Sequence, residues 1–292
     1  MPGIRVVTDS ACDLPPQLVK EHGIDVVALS VRFGEEELRE ELSPAEFWAR
    51  CARSDVLPST AAPSAGAFQA AFERAADDGC PGVVCINLSS ELSATYQAAC
   101  NAAGALGGTI PARVIDSRSL TIAQGLMCIS AAQLADQGKG IDEVAAAVED
   151  LIPRTRIFGA LDTLENLKRG GRIGAASAFM GSLLSIKPII EVADGKVEPE
   201  SRQRTRARSL RYLVDKVRSF PEIELLAVMH GEAPDVGEIL DMLAEIHPRE
   251  DIIVGDVGPV IGTHAGPRVI GVAFQVGAPA PADRDPPPAH PG

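Results

Sequence analysis

The sequence predicts two α/β domains, and three observations carry that prediction. In the first half, short β-branched runs alternate with longer stretches of helical period. Those runs are apolar on both faces, as a mostly parallel sheet covered by helices requires. Near Asp162 this texture breaks, and a second alternation of different spacing follows. A chain of 292 residues is long enough for about two domains, each with its own core. The expected division is 1–160 for an N-terminal α/β domain, with a mostly parallel sheet and helices on both faces. Residues 161–276 follow as a mixed C-terminal α/β domain. Residues 277–292 hold six prolines and almost no large apolar side chain, so they are expected as a disordered tail.

Taken in order, residues 4–8, 25–29, 83–87, 113–116 and 157–161 read as strands. Residues 14–22, 44–53, 65–78, 92–106, 120–137 and 141–152 read as helices. Ser43 before Pro44, Ser64 and Ser119 supply start signals for three of them. Beyond the break, an apolar stretch at 180–190 precedes a short strand at 196–198 and a helix at 204–220. Strands at 225–230, 252–257 and 269–276 then enclose a helix at 236–246.

Composition removes several function classes. Lysine and arginine number 27 against 40 aspartates and glutamates, a net charge of −13. A polyanion is repelled by that field, and 4% aromatics offer no stacking platform, so no nucleic-acid partner is expected. No run of eighteen apolar residues occurs, so stable membrane insertion is not expected and a cytoplasmic location is. The six cysteines form no C-x-x-C pair and read as buried reduced thiols. Dinucleotide, P-loop, zinc-protease and nucleophile-elbow motifs are absent, so neither metal nor cofactor is expected.

Four segments have chemistry-bearing residues. Thr8-Asp9-Ser10 ends the first strand, where α/β sheets place ligand groups or simply cap the next turn. Ser89-Ser90-Glu91-Leu92-Ser93 joins a buried strand to a helix; it is either an ordinary N-cap or an anion site. Glu91 there disfavours a dianion and leaves a single carboxylate easier to accept. Ser59-Thr60-Ala61-Ala62-Pro63-Ser64 is a second hydroxyl-rich loop, and Gly262-Thr263-His264-Ala265-Gly266 sets a histidine between glycines. Lys168-Arg169-Gly170-Gly171-Arg172 reads equally as a tight turn or a flexible corner.

Together these segments resemble the DegV family of fatty-acid-binding proteins. The resemblance runs from about Ile4 to Phe274. It rests on Val7-Thr8-Asp9-Ser10 with Asp13-Leu14-Pro15, on the Thr60 and Ser93 segments, on Asp116-Ser117, on the Leu164–Ile173 stretch, on Ile186-Lys187-Pro188-Ile189 and on Thr263-His264-Ala265-Gly266-Pro267. It implies a lipid site between the two domains, with the carboxylate held by Thr60, Ser93 and His264, and by Ser90 in addition. It further implies a non-catalytic carrier that binds a long-chain fatty acid, presents it to a separate fatty-acid kinase and holds the acyl phosphate. Ala61-Ala62 stand where the family has Ser-Gln, and Arg268 where a small residue is usual. The rival reading is a small acyl hydrolase or transferase with Ser93 as nucleophile and His264 as base. Arg202, Arg204, Arg206, Arg208 and Arg211 reverse the local charge and are expected to dock the kinase, Arg204, Arg208 and Arg211 sharing one helix face.

Overall fold

The computed structural model describes residues 2–39, 42–54, 56–179 and 186–278. Strand β1 (Arg5–Asp9) leads through a 3-10 turn into helix α1 (Pro16–Glu21) and strand β2 (Asp25–Val27). Next come β3 (Ser30–Phe33), β4 (Glu36–Arg39), α2 (Pro44–Cys51) and β5 (Ser59–Ala61). The first half continues with α3 (Ala65–Asp77), β6 (Val83–Asn87), α4 (Thr95–Ala105), β7 (Ala112–Asp116), α5 (Thr121–Asp136) and α6 (Ile141–Leu151). The second half opens with β8 (Thr155–Ala160), α7 (Glu165–Arg169), β9 (Lys187–Ala193), β10 (Lys196–Gln203) and α8 (Arg206–Arg218). It closes with β11 (Ile223–His230), α9 (Val236–Leu243), β12 (Ile252–Asp256), α10 (Pro259–Ala265) and β13 (Ile270–Val276).

Among the described residues, three sheets result. Strands β2-β1-β6-β7 form a four-stranded sheet, parallel throughout. Strands β10-β9-β8-β13-β11-β12 form a six-stranded mixed sheet, in which only β11 and β12 run parallel. A small antiparallel sheet, β4-β3-β5, completes the set. Two expectations change here. Strand β8 falls within 1–160, yet it pairs with β9 and β13 of the mixed sheet; an apolar run does not name its partner strand. Ser59–Ala61, read as loop, is an edge strand paired to Ser30–Arg32. Beyond Gly277 and Ala278 the expected tail lies outside the described residues, as does most of the apolar stretch at 180–190.

Local signals explain the helix starts. Ser43 accepts the Glu46 N–H at 3.3 Å while the Glu46 carboxylate accepts the Ser43 N–H at 3.1 Å, a reciprocal cap. Ser64 accepts the Ala67 N–H at 3.3 Å. Ser119 does not cap α5 as expected: Leu120 holds the N-cap position without a side-chain bond. There Thr121 is in the left-handed region at φ 48° and donates its hydroxyl to Asp13 at 2.6 Å.

The layers stack around α5. Helices α3 and α4 cover one face of the parallel sheet through Phe68, Phe72, Ala99 and Ala102. Helices α5 and α6 cover its other face, and α5 meets Ile157, Ala227, Met229 and Ala273 of the mixed sheet in the same core. The far face of the mixed sheet is closed by α8 and α9 through Leu210, Leu213 and Ile239. Twelve of the sixteen α5 residues are buried, so it is apolar nearly all round. Leu126 is fully buried there. Leu126→Ala is expected to cost about 2–5 kcal/mol and to leave one cooperative urea transition, because one core joins both sheets. Separate transitions for the two halves, followed by tryptophan fluorescence and circular dichroism, would contradict a shared core.

Candidate functional site

An apolar, partly open cavity lies between the N-terminal end of α5 and the mixed sheet. Leu29, Leu88, Leu92 and Leu120 line it from the first half; Ile157, Ile190, Val197, Met229 and Val260 line it from the second. Its polar side chains are Thr60, Ser93, Thr121, Arg172 and His264. The Thr121 hydroxyl is spent on Asp13, which leaves four polar groups in an otherwise greasy wall.

His264 sits in the last turn of α10, not in the loop that its flanking glycines suggested. Gly262 is needed in that helix for space: a Cβ there would lie 2.8 Å from the Phe47 and Trp48 rings. Asn166 donates to the Thr263 carbonyl at 3.2 Å and pins α7 onto α10. The His264 ring lies against the Gly170 backbone so closely that a side chain at position 170 would overlap it. Its Nε2 lies 2.9 Å from Thr60 Oγ1, and its Nδ1 is buried without a partner among the described residues. Burial, and then the nearby Arg172 charge, lower the imidazole pKa from 6.5 to about 4, so the ring is neutral at pH 7. A proton on Nδ1 would leave a buried donor unmatched, a worse loss than an unmatched lone pair. The hydrogen-bond network therefore assigns the proton to Nε2, which donates to Thr60 Oγ1. The Thr60 hydroxyl proton is then free to point into the cavity.

Ser93 lines the same cavity, with its Oγ 2.8 Å from Thr95 Oγ1. Ser90 does not join them. Its hydroxyl bonds Asp116 Oδ2 at 2.5 Å and its N–H donates to Asp116 Oδ1 at 3.2 Å, which turns it toward the β7 end and away from the cavity. Glu91 also faces outward, toward Arg118 at 3.7 Å and Lys196 at 3.5 Å. Arg172, which sequence reasoning treated only as part of a corner, lines the cavity. It donates to the Leu92 carbonyl at 3.2 Å and the Gly170 carbonyl at 2.6 Å. The signal available was a cation directly after two glycines.

Two carboxylates, Asp9 fully buried and Asp13 half-buried, hold these parts in place. Asp9 accepts the Ala11 and Leu88 N–H groups at 3.1 and 2.9 Å and the Asn87 amide at 3.1 Å. It therefore caps its own turn and fixes the start of the serine loop. Asp13, besides Thr121, accepts the Gly258 N–H at the head of α10, at 3.1 Å. Burial raises their pKa values to about 6 and about 7.

The arginine run divides. Helix α8 starts at Arg206 with Thr205 as cap, so Arg204 lies before the helix and does not share a face with Arg208 and Arg211. Arg206 is not on the open surface: it pairs with Asp235 at 2.7 and 3.0 Å, both side chains only 14% exposed. Arg202 stacks over Phe179 at 4.5 Å. Arg204, Arg208 and Arg211 are exposed and make no ion pair among the described residues.

No helix among the described residues is long and apolar enough to cross a membrane. None of their His, Cys, Asp and Glu side chains cluster to hold a metal ion. All six cysteines are free.

Fold and site define a class: layered α/β proteins with one apolar, polar-ended cavity between their sheets. The chain belongs to the DegV family; residues 3–276 match the family described as "Uncharacterised protein, DegV family". A DegV domain-containing protein of Streptomyces coelicolor is 36% identical over 277 residues, 92% of this chain and 97% of that one. The solved structure of a fatty-acid-binding DegV family protein from Thermus thermophilus superposes with a TM-score of 0.86 at 30% identity, covering 94% of this chain and 99% of that one. DegV of Bacillus subtilis, described as a fatty acid binding protein, gives 0.82 at 29% identity, with 95% and 100% covered.

The neutral His264 has a measurable signature. The unfolded chain titrates it near 6.5 and the folded chain near 4, so between these values the folded state binds fewer protons. Its contribution to stability is complete above pH 6.5 and lost as pH falls toward 4. The parent is expected to lose stability faster than His264→Gln over that interval, in urea titrations at stepped pH. Parallel losses would mean an imidazole with its ordinary pKa.

Proposed function

We propose that this protein is a cytoplasmic, non-catalytic carrier that binds a long-chain fatty acid and presents its carboxylate to a separate fatty-acid kinase. The observation that carries this reading is an apolar cavity whose hydroxyl, imidazole and guanidinium groups gather at one end. An acyl tail of about fourteen methylenes gains about 11 kcal/mol on burial, before ordering costs. Its carboxylate needs donors there, since an unpaired buried charge costs several kcal/mol. Thr60, oriented by neutral His264, supplies one hydroxyl; Ser93 supplies another, and Arg172 supplies positive charge. Fatty-acid binding by the Thermus and Bacillus relatives supports the same reading.

In the proposed reaction the kinase transfers the ATP γ-phosphoryl to a carboxylate oxygen, and the carrier holds the acyl phosphate. The partner supplies ATP and metal, and this protein supplies position. The hydrolase alternative needs Ser93 bonded to a histidine base, whereas Ser93 is bonded to Thr95 and His264 to Thr60.

Mass spectrometry of small molecules from denatured, purified protein should find a long-chain fatty acid. Ser93→Ala or Thr60→Val should each weaken oleate binding by about 1–3 kcal/mol in calorimetry, and the double variant by less than the sum. Parent-like affinity in both single variants would remove these residues from the site. For docking, exposed Arg204 and Arg208 take the leading role and Arg202 lies nearest the transferred group. Reversing Arg204 and Arg208 to Glu should slow acyl-phosphate formation with the kinase and flatten its salt dependence while leaving oleate affinity unchanged. Equal rates for parent and variant at low and high salt would refute docking there.

A further inference from the structure

Two glycines face each other in the mixed sheet where neither backbone nor packing calls for glycine. Gly159 of β8 and Gly271 of β13 are direct cross-strand partners, and both line the cavity. The row continues to Ile190 on β9 and Met229 on β11, which line it too. Residues in register share a face, so the row is two bare positions flanked by two large apolar side chains. The neighbours along each strand, Phe158, Ala160, Ile270 and Val272, are fully buried in the core on the opposite face.

Glycine inside a strand sacrifices stability and commonly marks the close approach of a ligand or another backbone. At two other buried glycines, by contrast, the packing of the protein explains the residue. A Cβ at Gly125 would lie 2.9 Å from Leu14, and one at Gly262 2.8 Å from Phe47. At Gly159 an added Cβ would meet nothing nearer than Leu161 Cδ1 at 3.5 Å and Ile190 Cγ1 at 3.6 Å; at Gly271 it would meet only the Phe158 carbonyl oxygen at 3.5 Å. Those are ordinary contacts. Neither residue adopts the left-handed backbone. The fold has room for a methyl group at both positions, and what the glycines keep open is the cavity.

We propose that Gly159 and Gly271 form the floor of the tail site, where an acyl chain lies directly on the strand backbone between Ile190 and Met229, and that this bare pair sets which tails the protein accepts. The inference rests on the fatty-acid reading above and adds its specificity determinant. Methyl groups here would project into the path of the tail without disturbing the protein. Long chains that must cross the row would lose contact, and chains too short to reach past it would lose less.

The test uses full-length, delipidated parent, Gly159→Ala, Gly271→Ala and the double variant. Calorimetric affinity for stearate and laurate is measured alongside thermal unfolding of the lipid-free proteins. Each single variant is expected to unfold at the parent temperature or above, because alanine suits a strand better than glycine. Stearate affinity is expected to fall about tenfold, the usual scale for overpacking by one methyl group, and laurate affinity by less. Variants that bind stearate as the parent does would overturn the proposal. So would lower unfolding temperatures in the lipid-free state, which would assign the glycines to the fold. A parent that binds neither acid would sink the fatty-acid reading itself, and this inference with it.

Discussion

Helix α5 is apolar nearly all round, and the rest of the architecture follows from that constraint. A helix buried over twelve of sixteen residues has to be enclosed, and the parallel sheet alone covers one side. The mixed sheet covers the other through Ile157, Ala227, Met229 and Ala273. The two sheets are therefore fixed relative to each other by one shared core. Gly125 lets the turn after β1 close onto the helix, with Leu14 and the Cys12 carbonyl at contact distance. Asp13 on that turn then reaches Thr121 and Gly258, so α5 and α10 are tied to one carboxylate.

The cavity occupies the place where α5 begins. The space ahead of Leu120 is lined by leucines from the first half, and by strand residues and residues of α10 from the second. Three chain segments far apart in sequence converge at its polar end: β5 with Thr60, the loop before α4 with Ser93, and α10 with His264. Strand β5 is held by its pairing with β3, and the other two by polar bonds to side chains. Asp9 fixes the loop after β6, Asp13 fixes the head of α10, and Asn166 fixes its end. Across the same interface the β9–β10 tip is latched by the Ser89 hydroxyl, which donates to the Gly195 carbonyl at 2.7 Å.

Charge is handled by separation. Acidic Glu91 and Asp116 turn outward onto Arg118, and Arg206 is neutralised by Asp235. The cavity keeps a neutral imidazole and one arginine. A site with this balance can accept a monoanion without burying a competing carboxylate beside it.

The local pattern of the chain determined most of the elements. Apolar runs at 83–87 and 113–116, the serine caps at Ser43 and Ser64, and the long apolar period of α5 were each readable because period and capping depend on near neighbours. The segments holding Thr60, Ser93 and His264 were legible from their residue types and from the family resemblance. Pairing was not legible: β8 joins the mixed sheet, and Ser59–Ala61 becomes a strand only because Ser30–Arg32 offers an edge. Side-chain direction was hidden too. Ser90 and Ser93 stand three residues apart in one loop, yet one faces Asp116 and the other the cavity. Arg206 looks like its neighbours in the run until Asp235 arrives from a residue distant in sequence. Tertiary structure alone decided these, because the partner that settles each one is brought by the fold and not by the sequence around it.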